Sequence, residues 1–146
     1  MKLLLISLLI FNITHAAEIK WELLKTLSLD PKSKELVPSA DLKKVLGKES
    51  MIKGFMMPLD FDAKEVSEFL FMPYVPACMH VPPPPPNQLI LVKMKKGSKA
   101  QASFYPIELT GVLKVEVNKE LESGYKMEGL KIKELKSEAP ASFSPN

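Results

Sequence analysis

Cys78 and His80 stand two residues apart, directly before five consecutive prolines. The string runs Pro76-Ala77-Cys78-Met79-His80-Val81, then Pro82 to Pro86, then Asn87-Gln88. Cys78 is the only cysteine of the chain, and His80 is one of two histidines. Thiolate and imidazole are the groups best suited to metal ligation, nucleophilic attack or redox exchange near neutral pH. In an extended segment, residues two apart project from the same face, so the pair can grip one ion together. Sulfur and nitrogen donors suit zinc or copper. A closed zinc site takes four ligands, so the remainder would come from water, a second protein or nearby carboxylates. Asp60 and Asp62 are the candidates, with Glu65 and Glu68 behind them.

Plainer readings stand beside this one. A free cysteine is often a small buried apolar side chain, and His80 then simply satisfies its hydrogen bonds. A thiolate–imidazolium nucleophile lacks a visible third group to orient it. There is no Cys-x-x-Cys pair, so no catalytic residue is assigned and a non-catalytic role is favoured. Cys78 could also bond another chain. Met79 adds a thioether, which favours monovalent copper, but in an extended segment it points away from both neighbours. Met51, Met56, Met57, Met72, Met94 and Met127 fall in apolar runs, where methionine fills core gaps.

The run Pro82, Pro83, Pro84, Pro85 and Pro86 cannot be an ordinary helix or central strand, because proline fixes φ and lacks a backbone donor. Polyproline II geometry, rising ~3.1 Å per residue, would make it a rod of roughly 15 Å. It serves either as a stiff brace for the Cys-His segment or as a ridge for an aromatic groove on a partner. With Asn87 and Gln88 it forms the candidate partner-binding stretch.

The segments around this string must position it. Residues 1–16 read as a signal peptide: Lys2, an apolar stretch from Leu3, then small residues ending at Ala16. The stretch is shorter than the roughly 20 residues of a permanent span. Cleavage near Ala16 would leave an exported chain without a membrane anchor. It would remove His15 and Lys2, leaving His80 the sole histidine and lowering the formal charge from +3 to +2. All basic residues are lysine, and the arginine fork that reads guanine and phosphate is missing. Nucleic acid is therefore not an expected partner.

Residues 17–50 read as an N-terminal arm. It would lay Trp21 and leucines on the domain and carry a short helix from Leu42 to Leu46, capped at Ser39 and ended by Gly47. Residues 51–136 read as the domain proper. Strands are expected at Met51–Leu59, Glu68–Met72, Gln88–Met94, Ile107–Val117 and from Tyr125 on, with a helical turn over Lys64–Glu68. Ile107, Leu109, Leu113, Val115 and Val117 alternate with polar residues around Gly111. Tyr125 and Met127 are odd-numbered while Leu130 and Ile132 are even, a phase slip at Gly129 that predicts a β-bulge. Five strands with glycine-marked bends predict a mainly β fold, a small curved barrel of oligonucleotide-binding (OB) shape, or else a small β-sandwich. Residues 137–146 read as a disordered tail.

Three stretches carry a family resemblance: Gly54-Phe55-Met56-Met57-Pro58-Leu59-Asp60-Phe61, Glu68-Phe69-Leu70-Phe71-Met72-Pro73-Tyr74, and Ala77 through Gln88 with its Cys-x-His-x-proline-run-Asn-Gln signature. Over Trp21 to about Leu135 the chain resembles the bacterial family called domain of unknown function 3299. The resemblance implies a Gram-negative periplasmic protein, sometimes accompanying transporter-type genes linked to metal supply. A membrane transporter complex is thereby the implied partner. Only Cys78, His80, Asn87 and Gln88 are carried over as candidate functional positions, and no mechanism comes with them.

Overall fold

The structure is a computed structural model and describes residues 16–76 and 81–136. The expected leader, Cys78 with His80, and the expected tail lie outside the described residues. The strands are β1 (Ala17–Glu18), β2 (Ser28–Leu29), β3 (Leu36–Val37), β4 (Glu49–Pro58), β5 (Glu65–Val66), β6 (Glu68–Met72), β7 (Ile90–Met94), β8 (Ala100–Gln101), β9 (Ile107–Asn118) and β10 (Ser123–Glu134). Helix α1 spans Trp21–Leu24, α2 spans Ala40–Val45, and a 3₁₀ turn spans Pro86–Gln88.

Strand β4 pairs with β6, β6 with β7, β7 with β10, β10 with β9, and β9 returns to β4. That closes a ring of hydrogen bonds, the barrel-like β architecture the strand pattern implied. The β7–β10 pair is parallel, and the other four ring pairings are antiparallel. Closure removes the unpaired edges that an open sheet would leave.

The alternation in β9 turns Ile107, Leu109 and Leu113 inward, all fully buried. Phe69, Phe71, Ile90, Val92, Tyr125 and Met127 fill the same core. The strong curvature has a visible cause. Gly111 faces both Ser50 and Gly129, and a Cβ there would collide with the Glu128 backbone. Pairing then skips Leu130, which places the bulge between Gly129 and Lys131.

The arm is more than a covering. Strand β1 adds a parallel pair to β4, and Ile19, Leu24, Leu27 and Leu42 belong to the main core. Helix α2 begins where Ser39 Oγ accepts from the Leu42 amide at 3.2 Å, and the chain turns after it at Gly47 with φ +73°. Trp21 stacks obliquely on Phe71, ring centres 5.6 Å apart, and its indole donates to the Lys53 carbonyl at 2.6 Å. The expected helical turn over Lys64–Glu68 is instead β5, whose residues pair with Gln101 and Ala100. A cross-strand partner outweighs the local helical preference of Lys-Glu here.

One buried polar contact joins arm to ring. Tyr125 Oη donates to the Leu24 carbonyl at 2.7 Å, within the core. Burial holds the phenol far above its ordinary pKa, so it remains a donor throughout the physiological range. Tyr125→Phe removes one of the two hydrogen bonds that the Leu24 carbonyl accepts, the other coming from the Leu27 amide at 3.1 Å, a loss of about 0.5–1.5 kcal/mol. Urea denaturation of the variant should show a lower midpoint with unchanged slope; an unaltered midpoint would remove this contact from any account of stability.

Candidate functional site

The connector between β6 and β7 carries every residue of the proline string. It leaves β6 at Pro73, and Tyr74 Oη donates to the Pro82 carbonyl at 3.3 Å. This hydrogen bond joins the two feet of the segment that contains Cys78 and His80. Beyond it, Pro84 is buried while Pro82, Pro83, Pro85 and Pro86 are exposed. Pro85 has φ −68° and ψ 162°, within the range of polyproline II. The rod is shorter than five residues, because Pro86 begins the 3₁₀ turn: Gln88 N donates to Pro85 O at 2.8 Å and Leu89 N to Pro86 O at 3.3 Å. Proline suits a helix start, where its absent N–H is not needed.

The 3₁₀ turn lies hard against the sheet. A Cβ on Gly124 would sit 2.8 Å from the Pro86 carbonyl oxygen, so that approach requires glycine. Asn87 reaches the other way, its Nδ2 donating to the carbonyls of Lys25 at 3.2 Å and Leu27 at 3.4 Å. Its Oδ1 is buried without a partner among the described residues. Asn87 thus ties connector to arm. Gln88 is partly exposed and contributes its backbone to the turn.

Asp60 and Asp62 occupy an exposed turn in which Asp60 Oδ1 accepts from the Asp62 amide at 3.1 Å. The turn follows Pro58, which pairs with Phe69, whereas the connector follows Met72, which pairs with Phe55. Turn and connector therefore start from opposite ends of β6. Glu68 faces Lys93 across the sheet at 3.0 Å, and Glu65 lies in β5. Among the described residues, no three His, Cys, Asp or Glu side chains gather to hold a metal.

Shifted acidities mark turns and surface contacts. Backbone donors from Ser33 and Lys32 lower Asp30, the Lys44 ammonium lowers Asp41, and the Ser103 hydroxyl lowers Glu134. The outward faces of β6 and β7 are also closed. Leu70, Met72, Leu89 and Leu91 form a second buried cluster with Phe55, Met57 and Leu121 packed against it. The strand face through which OB barrels commonly take oligonucleotides or sugars is here an apolar layer.

The concave apolar surface lies elsewhere. Leu27, Leu29 and Leu36 from the arm, Pro85 and Pro86 from the connector, and Val117 from β9 line a groove of about 560 Å³. Of the stretch read from sequence as partner-binding, Pro85, Pro86 and Asn87 line it, while the leucines, the lysines and Val117 carried no such signal. Its walls are separated by tens of residues and come together only through ring closure.

A family model described as protein of unknown function (DUF3299) matches residues 14–134. A crystal structure of a DUF3299 family protein from Pseudomonas aeruginosa PAO1 is similar to this chain, with TM-score 0.58 and 26% sequence identity. It covers 84% of this chain and 97% of its own. No curated protein matches.

Replacing Asn87 tests its tie. Asn87→Asp sets a carboxylate against two carbonyls and should lower stability by about 1–3 kcal/mol. Asn87→Ala removes the same bonds without the repulsion and should cost less. Thermal melts of both variants, with limited proteolysis of the arm, report the order; equal losses would assign the effect to lost packing.

Proposed function

For a chain that belongs to the DUF3299 family, we propose an exported, non-catalytic binding role in the periplasm, with Cys78 and His80 taking a transition metal, zinc or copper, and assisting a membrane transporter. The observation that carries this reading is the Tyr74–Pro82 hydrogen bond, which closes the connector on either side of the two residues. Cys78 and His80 stand two residues apart in the sequence that this bond spans, a spacing that lets a thiol and an imidazole share one ion. Two protein ligands leave positions for water, for a partner's side chains or for transfer to a transporter, as suits delivery better than permanent storage. Among the described residues, the barrel core is filled, and Leu70, Met72, Leu89 and Leu91 form an apolar layer outside β6 and β7.

The exposed prolines support a second reading. Pro82, Pro83, Pro85 and Pro86 face outward around buried Pro84 and could dock in an aromatic groove of a partner, with Cys78 and His80 purely structural.

Zinc and monovalent copper titrations of the mature chain separate the two. The metal reading expects one equivalent bound in the parent and loss in both Cys78→Ser and His80→Ala. No binding by the parent under reducing conditions would end it. The docking reading expects Pro82→Ala with Pro83→Ala to abolish partner capture at unchanged thermal stability.

A further inference from the structure

The groove between arm, connector and β9 has features of a ligand site that the Cys-His segment does not explain. Its volume of about 560 Å³ falls within the ~300–1,000 Å³ of small-molecule pockets, which are mostly apolar with a few placed polar groups. The floor is stiff: Pro85 and Pro86 have fixed φ, and the turn they enter is clamped by Gly124 below and Asn87 beside it. Leu29 at 57% exposure and Val117 at 53% form apolar lips open to water. A site held open in this way loses little entropy on binding.

Charge selects among apolar occupants. Lys34 and Lys119 line the groove, and none of its lining residues among those described is acidic. Neither lysine forms an ion pair among the described residues, although Lys25, Lys44, Lys93, Lys126 and Lys136 do. Lys34 is fixed at the turn between β2 and β3 with φ +59°, and its amide donates to the Asp30 carbonyl at 2.9 Å. Two unpaired ammonium groups beside leucine, valine and proline complement a molecule with an apolar body and one negative end.

We propose that this groove binds a small amphiphilic anion, a linear acyl chain bearing a single carboxylate. The chain lies along Leu27, Leu36, Pro86 and Val117, and the carboxylate meets Lys34 and Lys119 at the rim. The site shares the connector with the metal reading but does not depend on it, because the groups it uses are Leu27, Leu36, Pro86, Val117, Lys34 and Lys119.

Calorimetric titration of the mature chain with dodecanoate, kept below its micelle concentration, tests the proposal. Dodecyltrimethylammonium serves as the charge-reversed control. The expected result is saturable binding of one dodecanoate and much weaker binding of the cation. Lys119→Glu and Lys34→Glu should each weaken dodecanoate roughly tenfold, the scale of losing a partly desolvated charge contact. Val117→Asp, at an exposed position that folding tolerates, should abolish it. Far-ultraviolet circular dichroism of each variant separates lost binding from lost fold, and Cys78→Ser should bind as the parent does. Absence of saturable binding overturns the proposal, as does equal affinity for the cation or undiminished binding in all three groove variants. Selective binding of an acidic apolar peptide with none of dodecanoate would also overturn it, in favour of a protein partner.

Discussion

The Tyr125 hydroxyl is the hinge on which this architecture turns. Its residue sits where β10 pairs with β7 on one side and β9 on the other, opposite Ile90 and Val115. A phenol at that position must be fully buried, and a buried hydroxyl needs a partner. The barrel strands supply none. The partner is the Leu24 carbonyl at the end of α1, so the ring is completed by a residue that precedes it in sequence by a hundred positions. Arm and barrel therefore share one core, and neither is a finished unit by itself.

That dependence explains the treatment of the connector. With α1 held on Tyr125, the carbonyls of Lys25 and Leu27 meet the connector, and Asn87 bonds both. Gly124, immediately before Tyr125, admits the Pro86 carbonyl at a distance no Cβ would allow. One turn of β10 thus organises both the arm and the proline segment. The proline run is a brace at its second end, where Pro84 is buried and Pro86 enters the 3₁₀ turn, and a solvent-facing surface elsewhere.

The legible parts of the sequence are those whose cause is local. Strand β9 declared itself through alternation, because one of its faces meets the core and the other meets water. The slip at Gly129 declared the bulge, because side-chain parity admits no other reading. Ser39 and Gly47 marked α2 through its termini. Strand β6 was placed to the residue, bounded by Pro73 and by a switch from charged to apolar side chains. The illegible parts depend on pairing across long separations. Lys64–Glu68 has a helical composition, yet its partner is β8, some thirty-five residues on. The string Leu70-Met72-Leu89-Leu91 reads as ordinary strand core, and only the ring shows it to be a second layer outside the barrel. Asn87 looked like a partner-binding residue, and its described bonds are to the arm.

These two layers bear on where a ligand can go. Phe69, Phe71, Ile90 and Val92 fill the inside of β6 and β7 while Leu70, Met72 and Leu91 cover the outside. Both strands are thus committed to packing, with residues worth about 2 kcal/mol each when buried. Binding surface must then come from segments the ring does not need: the hairpin of β2 and β3, the tip of β9, and the connector. Those segments have freedom to present Leu29, Val117 and the lysines outward because Tyr125, Gly124 and Asn87 already fix their roots. Rigid roots with exposed ends favour recognition, since the ordering entropy is spent in folding and not again on association.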